Sequence, residues 1–251
     1  MRILICNDDG IRSKGIEVAE KIARTLTDDV WVVAPSCEQS GTGHSFTAHR
    51  TMTVKKTGDR RYAVDGTPTD CIIFACRYLL SDRLPDLVLS GVNQGANLGF
   101  DVAYSGTIGA AMEGTLQGVR SIALSLYGAK NAVSGAYWET AEKYAPVVIR
   151  KLLETDWPGD TLMNVNFPAV PADECTGVEF PVLSRRKIGD EVRVDQTGEG
   201  EYSFKIGFTR TEDNSAGGDV EAVSRGAVTV TPVSLSLTDK DTQAVLKSRS
   251  P

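Results

Sequence analysis

The 251-residue chain sets two carboxylates side by side in Asn7-Asp8-Asp9-Gly10. Directly after an apolar run, such a pair repels itself and is costly to desolvate unless a cation neutralises it. A helix-capping Asp beside a solvated one is the plainer alternative, since Asp is favoured at N-caps. A second polar stretch, Ser36-Cys37-Glu38-Gln39-Ser40-Gly41-Thr42-Gly43-His44-Ser45, supplies hydroxyl oxygens and backbone N–H groups. Its composition also fits an ordinary surface loop. A third, Gly91-Val92-Asn93-Gln94-Gly95-Ala96-Asn97, is followed by Tyr104-Ser105-Gly106-Thr107 at the start of a helical pattern. Asn oxygens are neutral hard ligands, and a helix start presents free N–H groups to an anion. Plain N-capping is the alternative for Ser105. Together the three stretches hold the parts for metal-assisted chemistry on a phosphate.

Counts narrow the choice. There are two histidines, His44 and His49, so a three-histidine zinc site is excluded. A metal here would take mostly oxygen ligands, which points to Mg²⁺, Mn²⁺ or Ca²⁺. His44, inside the hydroxyl-rich stretch, is a candidate for reaching substrate or protonating a leaving group, whereas His49 reads as structural. The five cysteines are odd in number and form no CxxC, so reduced thiols are expected. With 27 Lys+Arg against 33 Asp+Glu the net charge is −6, which argues against a nucleic-acid polymer as partner. Met1 leads straight into an apolar strand pattern without a signal-like segment, and no apolar run approaches the roughly 20 residues of a membrane helix. A cytoplasmic protein that does not bind membranes is the expectation. Neither GxxxxGK[ST] nor a well-placed GxGxxG occurs, which disfavours ATP-driven transfer and dinucleotide redox.

These residues need a scaffold that brings them together. Short apolar runs at 2–6, 30–34, 87–90, 122–126 and 162–166 alternate with helical patterns at 16–26, 71–80, 108–117 and 136–153, the last with Ser134 as a candidate cap. Continuously apolar strands alternating with helices predict a mainly parallel sheet covered on both faces. In such sheets ligands bind beyond the carboxyl ends of the strands, where all three polar stretches fall. Segments 51–56 and 61–64 read as a hairpin inserted at about 48–65. After Pro168 the texture changes to half-exposed alternation at 192–195, 202–206 and 227–231. The expected organisation is a core over 1–168 and a β-rich C-terminal extension over 169–251. Pairing such an extension with a neighbouring subunit would protect its edges.

Several motifs carry a family resemblance. The run Ile3-Leu4-Ile5-Cys6-Asn7-Asp8-Asp9-Gly10-Ile11, Ala34-Pro35 with Gln39-Ser40-Gly41, and Ser90-Gly91-Val92-Asn93-Gln94-Gly95-Ala96-Asn97 resemble the stationary-phase survival protein SurE family. So do Asp65-Gly66-Thr67-Pro68-Thr69-Asp70-Cys71, Tyr104-Ser105-Gly106-Thr107 with Ala110-Ala111-Met112-Glu113-Gly114, and the later Val228-Thr229-Val230-Thr231-Pro232. The resemblance implies a Rossmann-like three-layer fold whose C-terminal β extension is exchanged between subunits, giving a homodimer or homotetramer, and one family domain overall. It implies a divalent-metal-dependent phosphatase acting on nucleoside 5′- and 3′-monophosphates, with terminal phosphates of short polyphosphate as a side activity. The family's ligands to one Mg²⁺ or Mn²⁺ per subunit carry over to Asp8, Asp9, Ser40 and Asn93. Asp8 or Asp9 would also orient water. Phosphate and substrate contacts fall on Asn97, Ser105, Gly106 and Thr107, with Gly41 and His44 as further candidates. A covalent phospho-aspartyl route is disfavoured because the chain reads Asp-Asp-Gly rather than Asp-x-Asp. The alternative from another class is a nucleotide-binding module that has the pocket without turnover.

Overall fold

The computed structural model describes residues 1–128, 137–186, 189, 191–207 and 216–249. The chain opens with strand β1 (Arg2–Cys6), helix α1 (Lys14–Arg24) and strand β2 (Asp29–Pro35). The hairpin β3 (Val54–Gly58) and β4 (Arg61–Val64) follows, then α2 (Pro68–Phe74), which widens into a π turn over Ala75–Leu79. Next come β5 (Leu87–Asn93), a 3-10 turn (Gly99–Tyr104), α3 (Gly106–Leu116) and β6 (Arg120–Leu126). Helix α4 (Trp138–Leu153) and β7 (Thr161–Phe167) end the alternating part. Of the helix expected over 136–153, Ser134 and Ala136 lie outside the described residues. The remaining elements are β8 (Gly177–Glu179), β9 (Val192–Gly198), β10 (Glu201–Ile206), α5 (Asp219–Ser224), β11 (Ala227–Ser234) and α6 (Lys240–Ser248).

Nine strands form one sheet in the order β3-β4-β2-β1-β5-β6-β7-β11-β8, parallel from β4 through β7. The fold is therefore the expected Rossmann-like α/β sandwich. The chain leaves β1 toward β2 on one side and returns to β5 on the other, so the strand order reverses between β1 and β5. That reversal opens the crevice in which such sheets bind ligands. Alternation within β1 feeds two cores. Ile3 and Ile5 pack with Ile16 and Ile22 of α1 and Ala145 and Ile149 of α4. Leu4 and Cys6 pack with Cys71 and Ile72 of α2 and Ala110 of α3.

The edges hold what sequence texture described differently. Strands β3 and β4 form the expected antiparallel hairpin, and it extends the main sheet, because β4 runs parallel to β2 with Val32 opposite Arg61 and Pro35 opposite Val64. Within the β-rich stretch, β11 pairs antiparallel with β7 and β8 pairs parallel with β11, continuing the main sheet. Strands β9 and β10 form a separate two-stranded ribbon. No helix among the described residues is long and apolar enough to cross a membrane.

Close packing at one glycine sets how α1 meets the sheet. A Cβ added at Gly15 would lie 1.8 Å from the carbonyl oxygen of Val92 on β5. Only a residue without a side chain lets the start of α1 lie this close to the strand that ends in Asn93.

Candidate active site

Each helix start near the crevice is locally encoded. The Ser13 hydroxyl accepts from Ile16 N–H to cap α1, and Ser105 accepts from Ile108 N–H to cap α3. At α2, Thr67 and Asp70 form a reciprocal capping box with Pro68 in the first turn. Asp70 does more than cap. Its carboxylate also accepts from the Thr47 N–H at 2.8 Å and the Thr47 hydroxyl at 2.7 Å, fixing the far end of the hydroxyl-rich loop. Sequence reading saw this motif only as family resemblance; the Thr-x-x-Asp spacing after Gly66 was the available signal.

Hydrogen bonds from loop backbones join the strand tips. Gln39 N–H donates to the Asp8 carbonyl at 2.8 Å, which draws Ser40 toward β1. Gln94 N–H donates to Asp9 Oδ2 at 3.0 Å, which does the same for Asn93. The Thr107 hydroxyl donates to Asp8 Oδ1 at 2.5 Å. A Cβ at Gly106 would come within 2.8 Å of the Asp8 Cβ and 3.0 Å of the Thr42 hydroxyl. The start of α3 therefore lies directly against the Asp8 side chain, with no room for a larger residue. Gly43 N–H donates to the Tyr104 carbonyl at 3.0 Å, closing the hydroxyl-rich loop over that helix start.

Asp8 is buried, and burial is the main reason its carboxyl is pushed up to about 6 from 3.8. The adjacent Asp9 charge adds to the rise, while the Thr107 hydroxyl opposes it. Asp8 and Asp9, with Ser40 and Asn93 on the two adjoining loops, offer hard oxygen donors whose chemistry fits Mg²⁺ or Mn²⁺. The other two side chains are oriented compatibly. Asn93 spends its amide nitrogen on the Gly95 carbonyl at 2.8 Å, which turns its oxygen the other way. Ser40 donates its hydroxyl proton to Glu38 Oε1 at 2.7 Å, leaving its oxygen lone pairs for another partner. Among the described residues no three His, Cys, Asp or Glu side chains cluster as a metal site.

The remaining candidates divide. Asn97 is buried and tied to β6 and β7, with its amide nitrogen on the Ser125 hydroxyl at 2.7 Å and its N–H on Asn166 Oδ1 at 2.9 Å. Ser125, Asn164 and Asn166 were not anticipated as part of the site. Gly41 adopts φ +78°, a left-handed conformation suited to glycine, on the exposed side of the loop. His44 Nε2 meets Glu113 Oε2 at 3.0 Å, and Glu113 also accepts from Gln117 Nε2 at 2.6 Å. Glu113 is seven residues beyond Gly106, about 10 Å along the axis of α3 at 1.5 Å per residue.

A mainly parallel sheet flanked by helices, with a strand-order reversal whose crevice is lined by oxygen-bearing loops and a helix N-terminus, defines an α/β protein of the Rossmann-like class. Residues 3–190 match the family described as Survival protein SurE, and the chain belongs to that family. It is 51% identical over 249 residues to the 5′-nucleotidase SurE of Paramagnetospirillum magneticum, covering 99% of this chain and 95% of that protein. It is 48% identical to the 5′-nucleotidase SurE of Rhodospirillum rubrum, covering 96% and 93% of the two chains. The crystal structure of the SurE protein from Aquifex aeolicus superposes with a TM-score of 0.85 at 36% identity, covering 99% of each chain.

Proposed function

We propose that the chain is a divalent-metal-dependent phosphomonoester hydrolase that releases phosphate from nucleoside 5′-monophosphates, with 3′-monophosphates as further substrates. One observation carries this reading. Backbone hydrogen bonds tie Gln39, the neighbour of Ser40, to the Asp8 carbonyl and Gln94, the neighbour of Asn93, to the Asp9 carboxylate, and the start of α3 packs against Asp8. The relatives named as 5′-nucleotidases support the substrate class.

Asp8, Asp9, Ser40 and Asn93 would hold one Mg²⁺ or Mn²⁺ per subunit. When bound, the ion supplies charge neutralisation at the phosphoryl oxygens and makes water a better nucleophile. The chain's own groups do the rest. Backbone N–H groups at Gly106 and Thr107, with the Ser105 hydroxyl beside them, would hold phosphate oxygens at the positive end of α3. Asn97 contributes a side-chain amide from the neighbouring loop. Thr107 fixes one oxygen of Asp8, so the other is left to face the ion, and one carboxylate of the pair orients water toward phosphorus. Chelation with EDTA should abolish phosphate release from AMP or p-nitrophenyl phosphate, and added Mn²⁺ or Mg²⁺ should restore it. A protein that binds AMP yet releases no phosphate with any divalent ion would be a binding module instead.

His44 serves as an anchor of the loop rather than as an acid. Its partner Glu113 is held below the usual carboxylate range, first by the His44 hydrogen bond, against the effect of burial. The His44→Ala protein should therefore keep turnover within about threefold while losing about 1 kcal/mol of stability. A carboxyl lowered in the fold contributes stability that is present above its unfolded value near 4.5 and is lost as pH falls through the folded value. The thermal midpoint gap between wild type and Glu113→Gln should accordingly be full at pH 6 to 7 and close below pH 4.5.

The β9–β10 ribbon supports the exchange of a C-terminal extension in a homodimer or homotetramer. Val192, Val194, Phe204 and Ile206 face one another across the ribbon and are all exposed in the single chain. All five cysteines are free thiols, which fits a cytoplasmic setting.

A further inference from the structure

Asn97 is held by an unusual number of side-chain bonds for a loop residue. Asn166 Oδ1 accepts its N–H at 2.9 Å while Asn166 Nδ2 donates to its carbonyl at 3.0 Å, so a single side-chain amide grips both sides of one residue's backbone. Asn164 Nδ2 donates to the same carbonyl at 2.8 Å and also lies beside Asn166, whose Nδ2 reaches Asn164 Oδ1 at 3.4 Å. Asn97 Nδ2 donates to the Ser125 hydroxyl at 2.7 Å. Ser125, Asn164 and Asn166 are 0%, 0% and 1% exposed, in strands whose other buried side chains are mostly aliphatic.

Three polar side chains buried within β6 and β7 cost desolvation that aliphatic residues would avoid. A sheet interior has no need of them for packing. Their hydrogen bonds converge on one loop residue, two positions before the 3-10 turn that leads to Ser105. An amide nitrogen carries two hydrogens. Ser125 accepts one from Asn97, and the second is left to be donated at a fixed angle.

We propose that Asn166, with Asn164 and Ser125, is a positioning residue for the phosphate-ester reaction: it clamps Asn97 so that the Asn97 amide is presented to the substrate phosphate. The clamp holds no metal ligand and touches no reacting atom. The proposal rests on the substrate role of Asn97 given above.

The test is a double-mutant cycle on kcat/KM for AMP hydrolysis with Mn²⁺, using Asn97→Ala, Asn166→Ala and the pair. Mn²⁺ affinity is measured by calorimetric titration without substrate. Asn166→Ala should lower kcat/KM about 10- to 100-fold with Mn²⁺ affinity unchanged. In the Asn97→Ala background the same substitution should cost less than about threefold, because the group it positions is gone. A full additional loss in that background, or a parallel loss of Mn²⁺ affinity, would make Asn166 a general structural residue and overturn the clamp. If Asn97→Ala itself leaves kcat/KM unchanged, the substrate role of Asn97 fails. If Asn97→Ala is impaired while Asn166→Ala is not, the clamp alone fails. Should Asn166→Ala not fold, Ser125→Ala removes only the bond to the Asn97 amide and runs through the same cycle with the same outcomes.

Discussion

Asp8→Asn and Asp9→Asn are each expected to lower metal-dependent phosphate release by about 10³-fold or more, a loss of about 4 kcal/mol of transition-state stabilisation. The substitution keeps shape and hydrogen-bonding capacity: an Asn oxygen can still accept from Thr107 at position 8 or from Gln94 N–H at position 9. What is lost is one of the two negative charges proposed to hold the cation. Stability should move the other way at position 8. A carboxyl raised to about 6 in the fold, from 3.8, opposes folding at pH above 6 and ceases to do so below 3.8. The metal-free Asp8→Asn protein should therefore have a higher thermal midpoint than metal-free wild type at pH 7, with the gain vanishing near pH 4. Added Mn²⁺ should raise the midpoint of wild type and leave that of the variant nearly fixed. Turnover and a Mn²⁺-induced shift both equal to wild type in Asp9→Asn would remove that residue from the donor set.

Gly15→Ala is expected to destabilise the fold by about 3 kcal/mol, the upper end for forcing an extra methyl into packed structure. Ala is favoured over Gly within a helix by about 1 kcal/mol, so propensity alone would predict a gain. The clash decides the sign, because a Cβ 1.8 Å from the Val92 carbonyl meets backbone that cannot rotate away. For a chain of this length the thermal midpoint should fall by about 10 °C. Relief of the clash must displace α1 or the end of β5, so the spacing between Asp9 and Asn93 would suffer and Mn²⁺ affinity should fall with it. A variant as stable as wild type would mean that α1 can slide without cost.

The alternating part of the fold was legible because each buried strand is a short apolar run and each helix has a periodic face. Strand β1 falls on residues 2–6 as read, and Ser105 caps α3 as its plainer reading held. The polar stretches lay where a parallel sheet exposes its ligand-binding edge, so the crevice could be placed without coordinates. Pairing partners were less legible. Val228 and Val230 alternate with Thr229 and Thr231 in a pattern that resembles a half-exposed strand, yet β11 is buried through most of its length against β7. Thr229 and Thr231 are buried polar residues there, so alternation did not report exposure. The asparagines of β7 were hidden for a different reason. Asn164 and Asn166 fall within a run that reads as a buried strand, where a polar side chain needs a partner, and only the fold of the loop from β5 supplies it. His44 could be assigned neither way from sequence, because Glu113 is 69 residues distant along the chain.

The sheet order also sets a timetable for synthesis. Strand β7 is buried along its whole length, but its outer neighbour β11 is encoded about 60 residues later. At roughly 5 to 20 residues per second, a ribosome leaves that edge bare for about 3 to 12 seconds after Phe167 is made. An unpaired, largely apolar strand is a template for wrong partners during that interval. The stretch 169–226 thus works as a delay as well as a connector, and the nascent chain depends on whatever shields β7 until Ala227–Ser234 arrives to pair with it.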